Sequence, residues 1–206
     1  MVDFNAVTES ADTDTEIESP VDGDPDTVRL ASEVGETESR AAWAVSARDV
    51  LLGVAHRYRG IVMQRELADE VQTRSGIRTT QRTSGWVPDV LTLVAQDCAA
   101  RDEPNLAALC VDATGSVGDG YLAALLTTSG DSPDDADRHA ALARLECYRH
   151  FGAPDLPADG GLAALSPKLE FSRERARKAA VAARPINMCP VCYMSIPPNG
   201  TCVNCE

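Results

Sequence analysis

Four of the chain's seven cysteines stand at its end as two Cys-x-x-Cys pairs, Cys189-Pro-Val-Cys192 and Cys202-Val-Asn-Cys205. A Cys-x-x-Cys segment folds as a tight knuckle that aims two thiolates at one point, and four thiolates close a tetrahedral shell around a single cation. Residues 193 to 201 separate the pairs and hold Pro198-Asn199-Gly200, a turn signal that brings the knuckles face to face. The pattern predicts one structural Zn2+ per chain, with Cys189, Cys192, Cys202 and Cys205 as its ligands. Two local disulfides, a redox pair and a rubredoxin-like iron site are the alternatives. A thioredoxin-type pair requires a following βαβ unit that the last residues do not supply. A closed four-sulfur shell leaves no position for water or substrate, so the metal is read as a staple rather than a catalyst.

The other residues with chemical potential read as structure. Cys98, Cys110 and Cys147 lie within apolar patterns that suit buried, reduced thiols. His56, His139 and His150 fall on expected helices without a metal-type repeat, and no nucleophile can be paired with a base, so no enzymatic activity is expected. Gly115-x-x-Gly118-x-Gly120 reverses the dinucleotide-binding spacing and opens no expected helix, so it reads as a hairpin turn. Trp43, Trp86, Tyr148 and Phe151 are expected in the core.

Charge divides the chain sharply. The formal net charge is −13, and residues 1–39 hold twelve acidic side chains against one basic, Arg29, so the remainder carries only −2. That acidic front lacks sustained apolar periodicity and is expected to be a disordered tail. With no leader-like apolar segment and no run long enough to span a bilayer, the chain is expected to be cytoplasmic and without a membrane partner. An odd number of cysteines fits a reducing compartment.

Periodicity supplies the elements that must carry these residues. Ala47, Val50, Leu51, Val54 and Tyr58 mark a helix from the cap Ser39 to Gly60. Ile61-Val62 is a very short strand, followed by a helix through Leu67, Ala68 and Val71 that stops at Gly76. A basic, hydroxyl-rich connection from Arg74 to Ser84 leads to a helix capped by Ser84 or Thr83, carrying Trp86, Val87, Val90, Leu91, Val94 and Cys98. Leu106–Val111 reads as a buried strand, and Ser116–Leu122 as the returning arm of a kinked hairpin. Ser132-Pro133 should open a helix that ends at Gly152, and Ser166 or Ser172 a last, basic helix terminated by Pro185.

Two resemblances add to this reading. Residues 187–205 resemble a short zinc ribbon, a class that mediates contacts with nucleic acid or protein, although Tyr193 and Glu206 stand where that class often has glycine. The order from residue 43 to 121 is that of a winged helix. Arg59-Gly-Ile-Val-Met-Gln-Arg-Glu-Leu-Ala68, Gly76, the helix at Val87–Ala95 and Gly115-Ser-Val-Gly-Asp-Gly-Tyr121 resemble the winged-helix domain of alkylguanine-DNA alkyltransferases and alkyltransferase-like proteins. The reactive Pro-Cys-His-Arg of that family is missing, since the corresponding strand reads Leu106-Ala-Ala-Leu-Cys-Val111 with Ala107 at the cysteine position. The resemblance therefore implies a fold and a DNA-facing surface without alkyl transfer.

The chain is thus expected to be mainly α: a disordered acidic tail (1–39), a winged-helix-like core with a small β-hairpin (40–126), an additional helix and loop (127–164), a basic helix (165–185) and a zinc ribbon (186–206). Its expected role is non-enzymatic association with nucleic acid, duplex DNA foremost, with Arg65, Arg74, Arg78, Arg82, Arg173, Arg177 and Lys178 as phosphate contacts. The alternative is an adaptor that docks a protein partner through the ribbon and the helical core.

Overall fold

The computed structural model describes residues 28–183, 188–196, 202, 204 and 205. The expected turn at Pro198–Gly200, the expected helix stop at Pro185 and most of the acidic tail, residues 1–27, lie outside them. Residues 28–39, assigned above to the tail, are instead built into the fold. Strand β1 (Arg29–Leu30) pairs in parallel with β3 (Ile77–Arg78), and a short helix α1 (Ala31–Val34) leads through Gly35 into α2 (Glu36–Ala55). Helix α2 therefore starts before Ser39, which is fully buried.

Helix α2 buries Trp43, Ala47, Leu51 and Val54, spaced four, four and three apart so that they share one face. Strand β2 (Val62–Met63) and helix α3 (Gln64–Ser75) follow, and α3 stops where Gly76 takes the left-handed conformation, φ 66°. The connection after β3 forms a short 3-10 turn at Thr83–Gly85, so neither Ser84 nor Thr83 caps the next helix, α4 (Val87–Ala100), which has Pro88 in its first turn. Trp43 and Trp86 meet with ring centroids 4.3 Å apart and join α2 to α4 at the centre of the core. The Trp43 indole also donates to the Ile77 carbonyl at 3.1 Å, tying β3 to the same place.

Leu106–Val111 is buried as expected, but only Cys110–Val111 is extended, as strand β4 parallel to β2. Asn105 accepts from the Ala107 amide at 3.0 Å and curls Leu106–Leu109 into a 3-10 turn. The expected hairpin is not formed. The chain reverses at Asp112–Ser116 and then enters helix α5 (Gly118–Thr128), whose Tyr121, Ala124 and Leu125 pack inward. Those positions have helical spacing, and of the glycines that suggested a kinked strand Gly118 takes a left-handed backbone, φ +64°, while Gly120 allows close approach. A Cβ on Gly120 would stand 3.1 Å from Pro88 of α4, and one on Gly115, at φ +88°, would stand 2.3 Å from the Ser166 hydroxyl. Replacing Gly115 by alanine should accordingly destabilise the fold by about 1–3 kcal/mol from strain and overpacking, read as a lower urea midpoint at an unchanged m-value.

Helix α6 (Ala136–His150) begins later than Ser132, because Asp135 is the residue that accepts from the Arg138 amide. Ser166 caps α7 (Pro167–Ala182), accepting from the Leu169 amide, while its hydroxyl donates to the Gly115 carbonyl at 2.6 Å. Helix α7 buries none of its own residues. The architecture is mainly helical, with two parallel strand pairs of two residues each among the described residues. Among the described residues no helix is long and apolar enough to cross a membrane.

Candidate metal centre

The first knuckle is held by backbone hydrogen bonds. The Tyr193 amide donates to the Cys189 carbonyl at 2.9 Å and the Cys189 amide to the Met194 carbonyl at 2.8 Å, while Met188 and Ser195 form an antiparallel bridge. In the second knuckle the Cys205 amide donates to the Cys202 carbonyl at 3.3 Å. The turns converge so that the four Sγ atoms all lie within 4.8 Å of one another. Cys189 and Cys205 are 3.9 Å apart, and Cys192 and Cys202 3.4 Å. A tetrahedral shell with bonds of about 2.3 Å sets sulfurs about 3.8 Å apart, so the four residues fit one metal ion. Those separations are far beyond a disulfide bond, and all seven cysteines are free.

The electrostatics favour thiolate in the first knuckle, whereas the neighbouring sulfurs raise Cys202 and Cys205 in the second. The Met194 amide and then Cys202 hold the Cys192 thiol down at about 6, and the Cys192 and Val191 amides hold Cys189 below its ordinary value. Cys205 is pushed up to about 12, first by its hydrogen bond with Cys192, because four clustered sulfurs cannot all ionise without a cation.

Tyr193 stands where a ribbon often has glycine and takes the glycine-like conformation, φ 58°. A bulky residue there is an outlier that costs on the order of 1–3 kcal/mol. Its side chain is 73% exposed, beside Val191 at 76% and Met194 at 59%. Among the described residues the Tyr193 hydroxyl has no hydrogen-bond partner, and no contact among them explains why a tyrosine occupies this position.

The remaining cysteines are set apart from chemistry. Cys110 and Cys147 are fully buried, and burial pushes both thiols up to about 12, while burial also raises Cys98. Such thiols are unreactive at neutral pH.

The candidate phosphate contacts are dispersed rather than gathered on one face. Arg65 and Arg82 are exposed and, among the described residues, form no ion pair. Arg78 is likewise unpaired and borders a crevice of about 420 Å³ shared with Arg40, Trp43 and Gln81. Arg74 is paired with Glu70 at 2.7 Å. On α7, Arg177 and Lys178 share Glu174, and Arg173 is engaged by Asp135 at 2.6 Å and Asp137 at 2.9 Å. The outward face of α4, where a winged helix would meet a groove, carries Asp89, Leu93 and Gln96 and no cation.

The Arg173 guanidinium holds the Asp135 carboxyl at about 2, below its ordinary value near 4. A depressed carboxyl stabilises the fold above its unfolded pKa and ceases to do so as pH falls from about 4 toward 2. Asp135→Ala also removes the cap of α6, costing about 1 kcal/mol. The gap in urea midpoint between the parent and this variant should therefore be wider at pH 7 than at pH 2.

No family model, no curated protein and no solved structure matches this chain. The likeness to alkyltransferase winged helices thus rests on the sequence motifs alone, and the sulfur geometry is what speaks for the metal.

Proposed function

We propose that this chain is a non-enzymatic adaptor in which a structural zinc staples the C-terminal clip and the clip docks a protein partner. The observation that carries this reading is Tyr193, a left-handed, exposed tyrosine flanked by Val191 and Met194 on a knuckle whose sulfurs all turn inward. Strain held at a side chain without a hydrogen-bond partner among the described residues is a mark of recognition, and aromatic and methionine side chains are enriched at the buried centres of protein interfaces. Zinc is the metal that a closed four-thiolate shell suits best, and its role is to hold Tyr193 in place. The chain's residues do the binding, and none of them is assigned a catalytic role.

Association with duplex DNA is the second reading, favoured by the unpaired Arg65, Arg78 and Arg82. It ranks lower because the hairpin wing is replaced by α5, the α7 cations Arg173, Arg177 and Lys178 are paired with carboxylates, and α4 presents no cation outward.

Tyr193→Gly separates the readings, since it keeps all four ligands and relaxes the backbone. A photo-crosslinker at Met194 in the producing cells should yield one protein adduct that is absent from the Tyr193→Gly protein, which still holds its metal. Retardation of duplex DNA by the full chain with a steep salt dependence, and no protein adduct, would favour the DNA reading instead.

A further inference from the structure

Arg144 on α6 is 97% buried, being only 3% exposed, and no carboxylate pairs with it among the described residues. Its guanidinium donates to two neutral acceptors, the Ala108 carbonyl at 3.1 Å and the Ala164 carbonyl at 3.3 Å. These bonds use two of its five N–H groups and neutralise none of its charge. A buried cation without a counter-ion is strongly unfavourable, and burial lowers the pKa of this one from its ordinary value.

Asp137 attracts the Arg144 guanidinium only from beyond ion-pair distance, and that carboxylate is already engaged by Arg173 at 2.9 Å. Arg144 forms part of the wall of a crevice of about 70 Å³, with Arg59, Tyr148 and Ser166 also on it. Tyr148 and Ser166 direct their hydroxyls elsewhere, to the Gly60 and Gly115 carbonyls. The crevice shares Arg59, Ala141, Leu162 and Glu170 with an outer groove of about 750 Å³, which adds Arg138 and Arg173. Arg173 is taken by Asp135 and Asp137, so the charges left facing this space are Arg59, Arg138 and Arg144 against Glu170. Arg173 with its two carboxylates carries one net negative charge, so the balance over crevice and groove is one positive charge, as it is for Arg59 and Arg144 against Glu170 in the crevice itself. Arg59 reaches the crevice from a left-handed backbone, φ 61°, a second strained residue whose side chain borders a space the fold leaves open.

We propose that this crevice is a phosphoryl-anion site, with Arg144 at its buried end and Arg59 at its mouth. Room for several water-sized groups accommodates one phosphoryl group, and a phosphoryl monoanion balances the one uncompensated charge. The guanidinium fork suits phosphate oxygens, and the buried setting of Arg144 strengthens the attraction. The site is separate from the clip, so it stands whether or not the docking reading above holds.

The probe is inorganic phosphate, titrated into the full-length, metal-replete chain by calorimetry at low ionic strength. One phosphate should bind per chain with a dissociation constant in the millimolar range or tighter. Arg59→Gln, at an exposed position that cannot unfold the core, should weaken binding at least tenfold. Arg144→Gln should abolish it if circular dichroism shows the variant folded, and Arg59→Gln alone decides the matter if it is not. Oligonucleotides with and without a 5′-phosphate distinguish the source of the group. A phosphorylated end that binds more tightly than free phosphate, with the unphosphorylated one inert, identifies a nucleic-acid terminus. Free phosphate binding with both oligonucleotides inert identifies a small molecule. No binding of any probe, or phosphate binding unchanged by Arg59→Gln, overturns the site.

Discussion

Chelating the metal, or replacing Cys189 and Cys202 by serine, is expected to unfold the clip completely while the body's unfolding transition stays where it was. The clip has almost no core of its own: Val191, Tyr193 and Met194 are exposed, and Cys189 is its buried residue among those described. A segment so small owes its structure to the bonds its sulfurs make, and such sites supply on the order of 10–16 kcal/mol of apparent folding free energy in isolated peptides. The core from Trp43 to Ala153 is a separate cluster that includes no clip residue. Proton NMR should therefore show Tyr193 and Met194 resonances collapsing to unfolded positions on chelation. The thermal midpoint of the body should correspond to a change within about 0.5 kcal/mol, as for a surface alteration.

The second large effect lies at the tryptophan pair. Trp43→Ala should destabilise the body by about 3–5 kcal/mol, the cost of emptying a buried aromatic site. Trp43 is 3% exposed and packs on Trp86, so little can relax into the space. The two indoles should nevertheless differ on change to phenylalanine. Trp43 donates to the Ile77 carbonyl, whereas the buried Trp86 Nε1 has no partner. Trp43→Phe leaves a buried carbonyl unpaired and should cost about 1–3 kcal/mol more than Trp86→Phe, measured by urea denaturation. Equal losses would show that the bond to Ile77 contributes nothing.

The sequence made the clip legible because ligand type and spacing alone dictate convergence: two short loops, four thiolates, one point in space. Helices α2 to α4 were legible for a similar reason, their apolar residues recurring at three and four. The hairpin misreading has a specific cause. Gly118 and Gly120 are poor helix formers, and their presence hid the Val117, Tyr121, Leu125 spacing; what makes glycine necessary is the left-handed backbone at Gly118, φ +64°, and the approach of Pro88 from another helix to Gly120, which no local pattern encodes. Likewise Arg29–Val34 read as tail because two residues of strand carry no periodicity, and their partner, β3, lies far along the chain. Arg144 was invisible as a candidate because a lone arginine on a helix normally faces water; only packing reveals that this one does not.

The charge reading changed in the same way. Counting arginines suggested a basic surface, but pairing is a property of three dimensions, and Arg173 meets Asp135 and Asp137 across 38 and 36 residues of chain. Among the described residues Arg65, Arg78 and Arg82 form no ion pair, and none of them borders the crevice and groove lined by Arg59, Arg138 and Arg144.

X-ray absorption at the zinc edge of the purified full chain tests the central claim most directly. Four sulfur scatterers at about 2.3 Å, with no nitrogen or oxygen in the first shell, are expected. A shell of light atoms, or a chain without bound metal whose cysteine pairs point apart, would contradict it.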